Sequence, residues 1–170
     1  MRPVELLQDL ARRPLDAAEA LREKLTPELL NAHPHHDNSA AWLLWHAARE
    51  IDAQVADLSG EAPVWTAQGF DRKFAIDLPD PGNGYGHSAR EARSIVCDDA
   101  DLLLDHLRAA VEAQLAYLEK LENTALGEVI DDSWDPPVTR ASRLISVSAD
   151  ALEHVGQAAY VAGMSQGAFE

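Results

Sequence analysis

Apolar residues recur every three or four positions along most of the chain, and no stretch keeps the every-second-residue alternation of a half-buried strand. Four long helices are expected. The first runs from about Pro3 to Lys24 on Leu6, Leu7, Leu10, Ala17, Ala18 and Leu21, with Pro14 marking a kink or break because it lacks an N–H. Leu25 to Asp37 reads as a connection in which Thr26-Pro27-Glu28 starts a short helical turn, Thr being a good N-cap and Pro suiting the first helical position. Asn38 or Ser39 caps the second helix, which carries the stripe Leu44, Ala48, Ile51, Val55 and Leu58 and stops at Ser59-Gly60.

From Glu61 to His87 the breakers Pro63, Pro79, Pro81 and the run Gly82-Asn83-Gly84-Tyr85-Gly86 predict a long non-helical crossover. Its aromatic residues Trp65, Phe70, Phe74 and Tyr85 are expected to dock on the helices, because leaving them all in water would be costly. Ser88 caps a third helix reaching about Leu121, with Glu91 completing a capping box. Ile95, Leu102, Leu103, His106, Ala110, Leu118 and Leu121 form its apolar stripe. After a turn region holding Gly127, Asp131, Asp132, Pro136 and Pro137, Thr139 caps a fourth helix that extends to about Met164. Two short connections and one long crossover between helices two and three give an all-α four-helix bundle. The 170 residues suit a single domain spanning 1–170.

Composition narrows the partners. A formal charge of −15, with 14 Lys and Arg against 29 Asp and Glu, argues against nucleic acid and against an anionic membrane, since both need clustered cations. No run approaches the roughly 20 apolar residues of a membrane span. Glu5 and Asp9 interrupt the place where a signal peptide would be apolar. Cys97 is the only cysteine, so no internal disulfide forms; its helix-like setting points to packing, and a reducing cytoplasm fits.

Candidate chemistry lies on the fourth helix, where spacings of four and three place Asp150, His154 and Gln157 on one face, edged by Val147, Ala151, Ala158 and Val161. A face turned partly into the bundle must satisfy that carboxylate and imidazole. Two readings stand. Asp150 and His154 pair with each other as a local hydrogen bond, or a third group from another helix joins them around a divalent ion with an open position for water or substrate. His46, in Trp42-Leu43-Leu44-Trp45-His46-Ala47-Ala48-Arg49-Glu50, is the candidate third group.

Asn38-Ser39-Ala40-Ala41-Trp42-Leu43-Leu44-Trp45-His46 resembles the helix-two signature of the DinB/YfiT-like superfamily. Glu153-His154-Val155-Gly156-Gln157-Ala158-Ala159-Tyr160-Val161-Ala162-Gly163 resembles its helix-four signature. Trp65, Gly69-Phe70 and Gly84-Tyr85-Gly86-His87-Ser88 resemble its crossover. The resemblance implies a divalent metal, zinc, nickel or iron, held by His46, Asp150 and His154. Many members have His where Asp150 stands, and the similar N-terminal domain of mycothiol-dependent maleylpyruvate isomerases has a carboxylate there. Glu153 lies about 60° round the helix from Asp150 and faces elsewhere. The implied activity is a thiol-dependent S-transferase or isomerase in which the metal holds mycothiol or bacillithiol against an electrophilic substrate. A divalent ion favours the thiolate over the thiol at neutral pH. Glu50 and Gln157 are expected as polar walls of the pocket.

The competing expectation is a non-catalytic metal-binding or stress-response module, favoured by the absence of the isomerases' second domain and by Asp150 in place of the commoner His. The family also implies a homodimer, with Trp42, Trp45 or the crossover aromatics lining either that contact or a pocket. Of the other histidines, His33, His35 and His36 read as a solvated loop cluster. His106 reads as a hydrogen-bonded core residue or a support behind the metal ligands, and His87 belongs to the approach to the third helix.

Overall fold

Every residue from 40 to 49 is buried, which makes this stretch of the second long helix the axis of the fold. The computed structural model describes residues 2–34 and 36–164. The elements are α1 (Pro3–Glu19), α2 (Pro27–Leu30), α3 (Ala40–Ser59), α4 (Val64–Ala67), α5 (Phe70–Phe74), α6 (Ala89–Ser94), α7 (Ala100–Lys120), β1 (Val129–Asp131), β2 (Val138–Thr139) and α8 (Arg140–Ala162). α3 packs on both α7 and α8, and α1 closes the bundle by packing on the same two helices from the opposite side. Ala40, Ala41, Ala47 and Ala48 let the neighbours approach α3 closely, while Leu44, Trp45 and Ile51 fill the space between them.

The predicted caps set the helix starts. Ser39 Oγ accepts from Trp42 N at 3.1 Å, and Thr139 Oγ1 accepts from Ser142 N at 3.2 Å. Ser88 and Glu91 form the expected capping box. Gly60 ends α3 in the left-handed region at φ 73° and returns its N–H to Ala56 O at 2.9 Å.

Several expectations need correction. α1 runs straight through Pro14, whose buried ring packs on the bundle and offsets the hydrogen bond it cannot make; the helix ends at Glu19, followed by a 3-10 turn at Arg22–Lys24. The crossover is not wholly irregular, since α4 and α5 lie within it. The third helix is two helices. Asn31 clamps the intervening extended stretch, donating to Cys97 O at 3.1 Å and accepting from Cys97 N at 3.0 Å, and Asp99 caps α7 anew through Leu102 N. Cys97 therefore lies outside a helix, although it is buried as expected and burial pushes its thiol up. A short antiparallel pair, β1 with β2, precedes α8 where only turns were expected. α8 ends at Ala162, two residues before the predicted Met164.

Trp65, Phe70 and Phe74 dock as expected, but Tyr85 is 90% exposed. His106 is fully buried, yet neither ring nitrogen has a hydrogen-bond partner among the described residues. Its surroundings are the rings of Trp65, Phe70 and Phe74, with centroids 4.7 to 5.6 Å away, so it neither hydrogen-bonds nor backs a metal ligand. Burial drives its imidazole down to about 3, which keeps it neutral.

The crossover is fastened to α3 by a buried ion pair. Asp52 accepts from Val64 N at 2.7 Å and Trp65 N at 2.9 Å, while Arg49, 3.2 Å from Asp52, donates to Gly82 O at 3.0 Å and lies over the Trp65 ring. Both ends of the crossover are thereby held against the middle of α3.

Candidate metal centre

α3 and α8 run antiparallel, and their facing side chains meet in layers. Positions 46, 50 and 54 on α3 share a face because they are four apart; positions 143, 147, 150 and 154 share the facing stripe of α8 by spacings of four, three and four. His46 and His154 form one layer, with ring centroids 4.8 Å apart. Glu50 and Asp150 form the next, and Gln54 and Arg143 the third, where Arg143 Nη1 donates to Gln54 Oε1 at 2.6 Å. Together these residues line a cleft of about 750 Å³, which Asn83, Tyr85, Trp134, Ser146 and Val147 complete.

One ligand atom each from His46, Glu50, Asp150 and His154 lie within 4.8 Å of one another. His46 Nδ1 bonds the Asn83 carbonyl, which can only accept, so its hydrogen sits on Nδ1. The Nε2 lone pair is left facing Glu50 Oε2 at 3.9 Å. His154 Nδ1 is 2.9 Å from Gln157 Oε1, leaving its Nε2 facing Asp150 Oδ2 at 3.3 Å. The short Asp150 side chain thus reaches the cluster and lies beside His154 as the spacing allowed, but with the His154 hydrogen on Nδ1 that contact is not the local hydrogen bond. Lone pairs that face each other at such separations need a proton or a cation between them.

The electrostatics agree. Burial holds His46 below the ordinary imidazole range, hence neutral near pH 7. Burial, and then the neighbouring Asp150, push the Glu50 carboxyl up to about 9. Asp150 is held below the usual carboxylate range, first by its hydrogen bond with Glu50. Glu50 Oε2 is buried and accepts from no surrounding side chain, so the proton that Glu50 shares with Asp150, or a cation in its place, is what satisfies the two carboxylates. The donor set of two imidazoles and two carboxylates suits a borderline divalent ion.

Tryptophans orient the histidines. Trp42 stacks on His46 at 4.6 Å and meets the edge of His154 at 6.0 Å, while its Nε1 donates to His87 Nδ1 at 3.2 Å. His87 then donates from Nε2 to Pro81 O at 3.0 Å, so it belongs to the crossover's anchorage, at the approach to α6. Trp42 and Trp45 are buried and do not form an exposed contact surface. Gly84, at φ 100°, lies against the His46, Trp45 and Trp42 rings: a Cβ there would come within 2.8 Å of His46 Nδ1, 3.0 Å of the Trp45 ring and 3.2 Å of the Trp42 ring. This turn aims the Asn83 carbonyl at His46 and sends Tyr85 outward.

A family profile described as the DinB superfamily matches residues 10–158. The chain belongs to the DinB superfamily. The crystal structure of a conserved protein from Enterococcus faecalis is similar to this DinB-superfamily chain at 37% identity and a TM-score of 0.88, over 95% of this chain and 96% of that one. No curated protein matches.

Sequence reasoning assigned Glu50 and Gln157 to the pocket wall. Glu50 lines the cleft and belongs to the cluster as well, a place its four-residue spacing from His46 already allowed. Gln157 lies outside the cleft lining and bonds the back of His154. Glu153 is exposed, as its angle round α8 required. Among the described histidines, His33 and His36 join no such cluster, and His35 lies outside the described residues.

Proposed function

We propose that this DinB-superfamily chain is a single-domain, cytoplasmic, homodimeric metalloenzyme that transfers a low-molecular-weight thiol of the mycothiol or bacillithiol type to an electrophilic substrate. His46, Asp150 and His154 would hold a divalent ion. The observation that carries the reading is the pair of imidazoles whose Nδ1 hydrogens are both spent on carbonyl oxygens, so that both Nε2 lone pairs converge on carboxylates. When bound, the ion supplies Lewis acidity that favours a thiolate over a thiol at neutral pH.

The chain's own residues do the rest. Asn83 and Gln157 fix the tautomers, Trp42 fixes the ring planes, and the half-buried cleft gives an electrophile room beside the cluster. The thiol and homodimer parts rest on the family resemblance.

Glu50 favours a second reading. Its carboxylate completes four protein groups, and four ligands close a tetrahedral site as in structural centres, which fits a non-catalytic module. Incubation of metal-loaded protein with mycothiol or bacillithiol and monochlorobimane separates the two. The enzyme reading expects thiol consumption that a chelator abolishes and His46→Ala lacks. Metal binding without consumption supports the module.

A further inference from the structure

The third layer of the seam, Gln54 and Arg143, is not used by the cluster, and it lies in the same cleft. Seven residues separate Arg143 from Asp150 on α8, a rise of about 10 Å. Among the described residues only two groups accept from the Arg143 guanidinium: Gln54 Oε1 at 2.6 Å and Asp131 Oδ2 at a long 3.5 Å. The guanidinium has five N–H donors, so several remain for a planar oxyanion entering the cleft. Asp131 is itself engaged by Ser133 through Oδ1 at 2.6 and 3.0 Å.

Two exposed aromatic side chains border this space from different loops. Tyr85, 90% exposed, comes from the crossover, and Trp134, 66% exposed, from the loop joining β1 to β2. Single exposed aromatics are ordinary, but two lining one cleft offer faces for a flat, unsaturated body.

We propose that Arg143 is a specificity-determining residue that takes the carboxylate of the second substrate, an unsaturated organic acid whose flat body lies between Tyr85 and Trp134. This rests on the proposed use of the cleft as a substrate site. It assigns the two ends of the cleft different tasks: the cluster end holds the ion, and the Arg143 end reads the charge of the incoming acid.

Cinnamate and its neutral amide, cinnamamide, are suitable probes, titrated into metal-free and zinc-loaded protein with calorimetry as the readout. Wild type is expected to bind cinnamate about ten- to hundredfold more tightly than cinnamamide, the range of a charge-assisted hydrogen-bonded pair. Arg143→Met should abolish that preference, Arg143→Lys should keep part of it, and Trp134→Ala should weaken both probes together. Zinc stoichiometry and helical circular dichroism are measured on each variant. Cinnamate binding that requires zinc and survives in Arg143→Met would place the carboxylate on the ion and overturn the assignment, as would equal affinity for acid and amide. Loss of zinc binding in wild type defeats the metal reading, whereas the metal-free titration still decides the role of Arg143.

Discussion

A neutral imidazole has one hydrogen and one lone pair, and a neighbouring carbonyl decides which nitrogen has which. Asn83 and Gln157 make that decision for His46 and His154, so the metal reading depends on groups that never touch the ion. Gln157→Leu removes the acceptor behind His154 without disturbing the packed face of α8, because Gln157 is exposed. Competition with a zinc-binding dye should show affinity reduced about ten- to hundredfold, with helical content unchanged. An unaltered affinity would mean that His154 does not need this orientation. His46, Asp150 and His154 were legible as a set only through the family resemblance, since spacing alone favoured the local Asp150–His154 pair. Glu50 was legible in part through its four-residue offset from His46. Asn83 was not, because nothing in a residue's identity tells where its backbone carbonyl will point.

At the scale of elements, caps and stop signals showed most clearly in the sequence. Ser39, Gly60, Ser88 and Thr139 stand where the structure begins or ends a helix, because each satisfies backbone groups locally, with little help from the tertiary fold. The break between α6 and α7 was illegible for the opposite reason. Asn31, more than sixty residues away, supplies the hydrogen bonds that let Cys97 leave the helix. Pro14 is the converse case, a local breaker overruled by packing. The crossover's Gly84 joins element to site, since its missing side chain admits the Trp42, Trp45 and His46 rings. Gly84→Ala combines a left-handed φ with a Cβ inside contact distance, so a loss of about 1–3 kcal/mol is expected in urea unfolding. Zinc affinity should fall with it, as Asn83 is pushed away from His46. A variant that kept both would show that the loop does not position the histidine.

For the whole molecule, a buried histidine outside the cluster makes stability depend on pH. His106 titrates at about 3 in the folded chain against an ordinary 6.5, so between these values the unfolded chain binds a proton that the folded chain refuses. Its contribution is complete above about pH 6.5 and is lost as pH falls, with a slope of at most ~1.4 kcal/mol per pH unit. His106→Leu should flatten the acid limb of stability when urea midpoints at about pH 7 and about pH 5 are compared. An unchanged limb would mean that His106 finds a partner in the fold. Among the described residues no helix is long and apolar enough to cross a membrane, and the long helices all contribute to the core around α3. That core carries the seam on which the functional reading rests. The most direct test is elemental analysis of tag-free protein purified without chelators, alongside His46→Ala and His154→Ala. The account expects about one divalent ion per chain in wild type and none in either variant, with the helical circular dichroism signal retained in all three. Stable, fully helical wild-type protein that contains no metal and takes up none would contradict it.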